Sequence, residues 1–280
     1  MADERDFDGT PVGMEAAFTQ LWEEQYTGRK FDVGGTEWTG RDLLRELRVH
    51  LSSIASGVRL DFRNPLTPKL VRFFKGLVKE SRSLTIVSFN YDTLVEDCLD
   101  HAGLVFSYGD RKVLRFVDKA KEKNLDKYVP DAEVLKLHGS ANWGICRDCA
   151  EAPIGFDLVN AFHGTYGLGR NKSCQFCDKP YLQSSIVPPV NTKGAGLGSI
   201  GAFWQRAHRA AGRAREVLVI GYSLPPADTQ AVTLISAIEG PTKRPRIRIV
   251  CGKRGAPGSY GSVLKRFKDL RCTFEEFLQA

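Results

Sequence analysis

The chain has 280 residues, of which 42% are hydrophobic and 26% charged, and a formal net charge of +7. That size holds one large domain or two small ones around a real core, and the composition is that of an ordinary globular protein. No apolar stretch approaches the roughly 18 residues that span a bilayer, and the acidic opening Ala2-Asp3-Glu4-Arg5-Asp6 is unlike a signal peptide, so a cytoplasmic protein without membrane association is expected.

From the N-terminus, apolar residues recur at helical spacing over residues 13–25 and 41–54, giving an N-terminal helical region over residues 1–66. Thr67 and Pro68 then suit the cap and first position of a third helix carrying Leu70, Phe73, Phe74 and Leu77. The pattern changes at residues 84–89, Leu-Thr-Ile-Val-Ser-Phe, a short β-branched run that reads as a buried strand. A helix follows with Leu94, Val95, Cys98 and Leu99 on one face. A second strand covers Val134 to Leu137 and ends at His138-Gly139. The spacing predicts an amphipathic helix over 200–215, a third strand over 216–221, a helix over about 228–238, a fourth strand over 246–251 and a closing helix over 262–270. Strands alternating with helices imply an α/β fold: a Rossmann-like parallel sheet with helices on both faces, occupying residues 67–280.

Between the second and third strands stand Cys146-Arg147-Asp148-Cys149 and Cys174-Gln175-Phe176-Cys177. Two such knuckles suit a tetrahedral Zn²⁺ held by four thiolates, with no coordination position left open. They mark a small zinc-ribbon insertion at about residues 143–186. The other cysteines, Cys98, Cys251 and Cys272, read as buried small hydrophobes. The basic runs at 119–127 and 243–248 lack interleaved aromatics and read as solvated surface, which disfavours nucleic acid as a partner.

In parallel sheets, ligands bind at the carboxyl ends of strands. That rule selects Asn90-Tyr91-Asp92, His138-Gly139 and Gly221-Tyr222-Ser223, which are expected to converge on one cleft. His138 titrates near neutral pH and can accept a proton from a hydroxyl. Asn90 can orient a sugar hydroxyl or a water, and Asp92 can accept from an amide. Gly221 admits close backbone approach, and Ser223 can bond a phosphate or ribose. Each also has a plainer reading: His138 as a structural strand-end residue, Asn90-Tyr91-Asp92 as a helix cap, and Gly221 to Pro226 as a loop of turn residues.

The ordered set is more specific than its parts. Ser88-Phe89-Asn90-Tyr91-Asp92-Thr93-Leu94, Lys136-Leu137-His138-Gly139-Ser140, the two cysteine pairs and Val219-Ile220-Gly221-Tyr222-Ser223-Leu224-Pro225 follow one another in that order. Over residues 67–252 this resembles the sirtuin-like superfamily, and within it the divergent bacterial branch found in anti-phage defence. The resemblance implies NAD⁺ as substrate and a structural Zn²⁺ on Cys146, Cys149, Cys174 and Cys177. It implies hydrolysis of NAD⁺ to nicotinamide and ADP-ribose, with NAD-dependent lysine deacylation and a catalytically impaired binding module as the alternatives. It implies His138 as general base, Asn90 on ribose or water, Asp92 on the nicotinamide amide, and Gly221 and Ser223 on the adenosine side. Tyr91 suits the divergent branch, because lysine-deacylating sirtuins usually carry Ile there. The family's opening strand and Gly-Ala-Gly loop, which cradles the pyrophosphate, are not found. Val33-Gly34-Gly35-Thr36 is the nearest candidate, and no buried strand precedes it. The expectation is either a chain truncated at its N-terminus or a binding or regulatory relative, with a partner able to supply the missing part; a protein partner or a homo-oligomer is the expected assembly.

Overall fold

The computed structural model describes residues 14–109, 111–113, 129–145, 154–156, 183–184, 186–187, 200–225, 228–240 and 244–280. In chain order the described elements begin with α1 (Met14–Glu24), β1 (Lys30–Val33), β2 (Thr36–Thr39), α2 (Gly40–Gly57), α3 (Leu66–Glu80), β3 (Thr85–Ser88) and α4 (Leu94–His101). Next come β4 (Phe106–Tyr108), β5 (Arg111–Val113), β6 (Ala132–Lys136), β7 (Trp143–Ile145), β8 (Ile154–Phe156) and β9 (Gln183–Ser184). The last are α5 (Gly201–Arg213), β10 (Glu216–Ile220), α6 (Thr229–Ser236), β11 (Arg246–Val250), α7 (Gly258–Val263), β12 (Lys268–Asp269) and α8 (Phe274–Phe277). By its contacts the chain divides into two units. The first is Met1–Arg59 with Ser88–Leu94 and Lys136–Gly201; the second is Leu60–Val87 with Val95–Leu135 and Ala202–Ala280.

The first unit begins with α1 and α2, whose apolar stripes meet over Phe18, Leu21, Trp22 and Leu44 in one cluster with Phe31 of β1, with Leu43, Leu47 and Leu51 packed against it. Each large apolar side chain withdrawn from water there contributes about 1.5–3 kcal/mol. Thr39 ends β2 and caps α2, its hydroxyl accepting from Asp42 N–H at 3.2 Å. The region expected as purely helical therefore also holds a β1–β2 hairpin. Its two-residue turn is Gly34-Gly35, with φ of +63° and +81°, the conformation that a tight hairpin demands and that glycine supplies without strain. The same turn explains why Val33 to Thr36 is not a phosphate loop. This unit also carries a three-stranded antiparallel sheet in the order β8-β7-β9.

The second unit holds two sheets. In one, β3-β6-β4-β5, the β4–β6 pairing is parallel, and β5 folds back antiparallel on β4. In the other, β10-β11-β12, every pairing is parallel, and Ile247, Ile249 and Val250 of β11 are buried. The α/β class with parallel strands and intervening helices is as expected. Among the described residues the four anticipated strands fall two to a sheet, joined by the short strands β4, β5 and β12.

Two local expectations are corrected. The closing helix at 262–270 does not form; α7 stops at Val263, Leu264 is buried in extended conformation, and Lys268–Asp269 pairs with Arg248–Ile249. The second correction concerns the start of α3. Thr67 lies inside the helix and gives its hydroxyl to Asp61 C=O at 2.6 Å, while Asn64 Oδ1 accepts from Leu66 N–H at 2.9 Å. No helix among the described residues is long and apolar enough to cross a membrane.

Candidate active site

Three sequence-selected residues, Asn90, Asp92 and His138, fall in the first unit, where the ends of β3 and β6 enter it. The two strand ends are laced by backbone bonds. Leu137 N–H donates to Ser88 C=O at 3.0 Å, and Ala141 N–H donates to Tyr91 C=O at 2.8 Å. Gly139, with φ of +79°, turns the chain between these two bonds, so His138 stands at the open end of the strand pair. Its imidazole lies edge-on to the Phe89 ring, centroids 5.3 Å apart, and 6.5 Å from the Tyr91 ring. His138 is half-buried beside these rings, and Asn90 is exposed.

Asp92 does two things. Its Oδ1 accepts from Leu94 N–H at 3.1 Å, opening α4 with an Asx turn, as the plainer reading of this segment anticipated. Its carbonyl accepts from the Lys136 ammonium. Lys136 is fully buried at the end of β6, on the same strand face as His138 two residues on. A buried ammonium is costly to desolvate, so a bond of this kind fixes the Asn90–Asp92 loop firmly. Behind the loop, Ser140 Oγ donates to Asn142 Oδ1 at 2.6 Å and Trp143 is fully buried. Residues Ile186 and Val187, both buried, return to the site: Val187 N–H donates to His138 C=O at 2.9 Å, and the Tyr91 hydroxyl donates to Val187 C=O at 2.7 Å.

Lys136, Tyr91 and Val187 had no role assigned from sequence. Lys136 carried a signal, a lone charge between Leu135 and Leu137 in a buried strand. The bond between Tyr91 and Val187 links residues 96 positions apart and leaves no sequence signature.

Gly221 and Ser223 fall in the second unit, at the carboxyl end of β10. Gly221 has φ of +66° and Gly252, just past neighbouring β11, has φ of +87°; a side chain at either position would meet open space. The left-handed backbone there answers to no crowding, and it leaves two adjacent strand ends approachable. The turn is held from behind. Tyr260 hydroxyl and Cys251 thiol both donate to Tyr222 C=O, at 2.9 and 3.2 Å. Tyr222 hydroxyl reaches Asp228 Oδ2 at 2.8 Å, and Asp228 Oδ1 caps α6 by accepting from Ala231 N–H at 3.3 Å. Leu224, fully buried, takes φ of +51°, a conformation that costs a non-glycine residue about 1–2 kcal/mol. Burial pushes the Tyr260 phenol well above its ordinary range, and burial with the Asp269 carboxylate nearby pushes the Cys251 thiol up, so both remain protonated donors.

Cys146, Cys149, Cys174 and Cys177 lie outside the described residues, as does the basic run at 119–127. The chain around the cysteines is described in part. β7 ends at Ile145, directly before Cys146, and pairs with both β8 and β9, with Ile145 opposite Ile154 and Gln183. Among the described residues no three His, Cys, Asp or Glu side chains gather as a metal would require.

No family model matches the chain, and no curated protein matches it. Among solved structures it is similar to a point mutant of a Sir2 homologue in complex with ADP-ribose, at 16% sequence identity and a TM-score of 0.47, over 84% of this chain and 70% of that one.

Proposed function

We propose that the protein is a sirtuin-like NAD⁺ hydrolase that releases nicotinamide, of the divergent bacterial type found in anti-phage defence. The observation that carries this reading is the joining of the Asn90–Asp92 loop to His138 at adjacent strand ends, by Leu137–Ser88, Ala141–Tyr91 and Lys136–Asp92 hydrogen bonds. Asn90, Asp92 and His138 belong to the motifs on which the sequence resemblance rests.

The reaction breaks the bond between the nicotinamide nitrogen and the ribose anomeric carbon. Charge develops on the ribose as the neutral nicotinamide leaves. Asp92 Oδ2 is available to accept from the nicotinamide amide while Oδ1 holds Leu94 N–H. The Asn90 amide, exposed beside it, orients the ribose or the attacking water. His138 takes the proton as the water oxygen bonds to the anomeric carbon, completing NAD⁺ + H₂O → nicotinamide + ADP-ribose + H⁺. In the same reading Gly221 and Ser223 serve the adenosine moiety, argued from their own unit alone: an open, left-handed strand end beside an exposed hydroxyl.

The donor set of Cys146, Cys149, Cys174 and Cys177 fits Zn²⁺, and four thiolates leave it a structural role. The β7–β8 connection carries the first pair, and β9, on the other edge of β7, follows the second, an arrangement that supports a ribbon closed by one ion.

Nicotinamide release from NAD⁺ tests the reading. Release without any acyl-lysine peptide supports hydrolysis, release that requires the peptide supports deacylation, and NAD⁺ binding without release supports the impaired binding module. The last alternative has one observation in its favour: Val33 to Thr36, the nearest candidate for a phosphate loop, is the turn of a β-hairpin.

A further inference from the structure

Lys136 is bonded to both halves of the candidate site. It is the last residue of β6 and is fully buried. Its main-chain carbonyl accepts from Gly139 N–H at 3.3 Å, which closes the turn that carries His138. Its ammonium donates to Asp92 C=O, on the loop that carries Asn90 and Asp92. Two backbone bonds tie the same segments, Leu137 N–H to Ser88 C=O at 3.0 Å and Ala141 N–H to Tyr91 C=O at 2.8 Å, and they end at Ser88 and Tyr91. The Lys136 ammonium extends this lacing to Asp92 itself.

A primary ammonium is costly to withdraw from water. Leu135 and Leu137 on either side are fully buried, and an apolar residue would fill the place of Lys136 without that cost. What the charge adds is a strong, directional bond to one backbone point. That point belongs to the residue whose carboxylate the proposed function aims at nicotinamide. We propose that Lys136 is a positioning residue: its carbonyl holds the turn of His138, and its ammonium sets Asp92 and Asn90 against that turn in the geometry that the reaction needs. Lys136 acts through Asp92 and His138 and not on the substrate. This rests on the proposed function for its chemistry, while the fixing of the loop is a property of the folded chain that needs no turnover. Binding of a dinucleotide is spread along its length, whereas bond breaking depends on alignment at one end, where a misplacement of about 1 Å costs on the order of 100-fold. Loss of the tether is therefore expected in kcat and not in KM.

The test uses the full chain and two variants: Lys136→Met, which keeps an apolar stem and removes the ammonium, and Lys136→Arg, which keeps a charged donor. Hydrogen–deuterium exchange is read by mass spectrometry over residues 88–95, where Asn90 N–H bonds to Ser88 Oγ at 3.2 Å and Leu94 N–H to Asp92 Oδ1 at 3.1 Å. Nicotinamide release is measured across a range of NAD⁺ concentrations. In Lys136→Met, exchange in this segment is expected to quicken about tenfold or more, and kcat to fall about tenfold or more with KM within about threefold of wild type. Lys136→Arg is expected to lie between wild type and Lys136→Met in both measurements. Unchanged exchange in Lys136→Met overturns the positioning role, whatever the turnover. A wild-type kcat in Lys136→Met, a loss confined to KM, or a Lys136→Arg protein no better than Lys136→Met overturns it too. If neither variant folds by circular dichroism, Lys136 is a residue of the core and the role is likewise overturned. If the wild type releases no nicotinamide, the NAD⁺ reading falls, and exchange alone decides whether Lys136 holds the loop.

Discussion

At the scale of single residues, the candidate site mixes chemistry with architecture in the same side chains, and Asp92 is the clearest case. One oxygen opens α4, and the proposed function gives the other to the nicotinamide amide. The two roles separate by substitution. Asp92→Asn keeps an acceptor for Leu94 N–H, so its unfolding free energy by urea titration is expected within about 0.5 kcal/mol of wild type; Asp92→Ala loses about 1 kcal/mol. Both are expected to lose nicotinamide release, and an Asp92→Asn protein with wild-type turnover would leave Asp92 only its architectural role. Tyr260 makes a second residue-scale prediction. Burial holds its phenol protonated in the folded chain above the pH at which an unfolded tyrosine ionises, about 10. The unfolded state therefore binds fewer protons there, and stability falls as pH rises through that value. Tyr260→Phe removes this contribution, so the gap between wild type and variant is expected to narrow between pH 8 and pH 11 in paired denaturation curves. A gap that widens contradicts the assignment. The strand-end positions of Asn90, Asp92 and His138 were legible in sequence, because the buried apolar runs before them mark where β3 and β6 stop. The roles of Lys136 and Val187 were not, because they come from partners that only the fold brings near.

At the scale of elements, sequence periodicity marked the long helices and the buried strands and failed where an element is short or its neighbours decide it. Residues 262–270 carry an apolar pattern compatible with a helix. The edge of β11 offers unpaired backbone groups instead, and Lys268–Asp269 takes them as β12, with Leu270 N–H donating to Ile249 C=O at 3.0 Å. The β1–β2 hairpin was readable in principle, since Gly34-Gly35 between two four-residue strands is a strong turn signal, but the helical pattern on either side obscured it. Glycine positions separate backbone strain from crowding. Gly35 has φ of +81° with open space where a Cβ would go, and Gly35→Ala is expected to cost about 1 kcal/mol. Gly255 has φ of +86°, and a Cβ there overlaps Asp269 Oδ2, the oxygen that accepts from Ala256 N–H at 2.9 Å. Gly255→Ala is expected to cost more than about 2 kcal/mol, since strain and a lost bond add. Equal melting shifts for the two variants would refute that difference.

At the scale of the whole molecule, the α/β class with parallel strands was legible from the alternation of strand and helix patterns, and its division into two sheets was not, because the strands that join each sheet, β4, β5 and β12, are three residues or fewer. In sequence, the second cysteine pair lies shortly before Val187, whose N–H donates to His138 C=O. One Zn²⁺ per chain is expected by elemental analysis. Its removal by a chelator is expected to lower the melting temperature, and a metal-free protein of unchanged stability would refute the structural zinc. The central claim, cleavage of NAD⁺ by a base at the end of β6, is tested most directly by nicotinamide release from NAD⁺ by wild type and by His138→Ala, each first shown to be folded. Wild type is expected to release nicotinamide without an acyl-lysine peptide, and His138→Ala to release it at least about 100-fold more slowly. Equal rates in the two proteins, or no release by the wild type, would contradict the account.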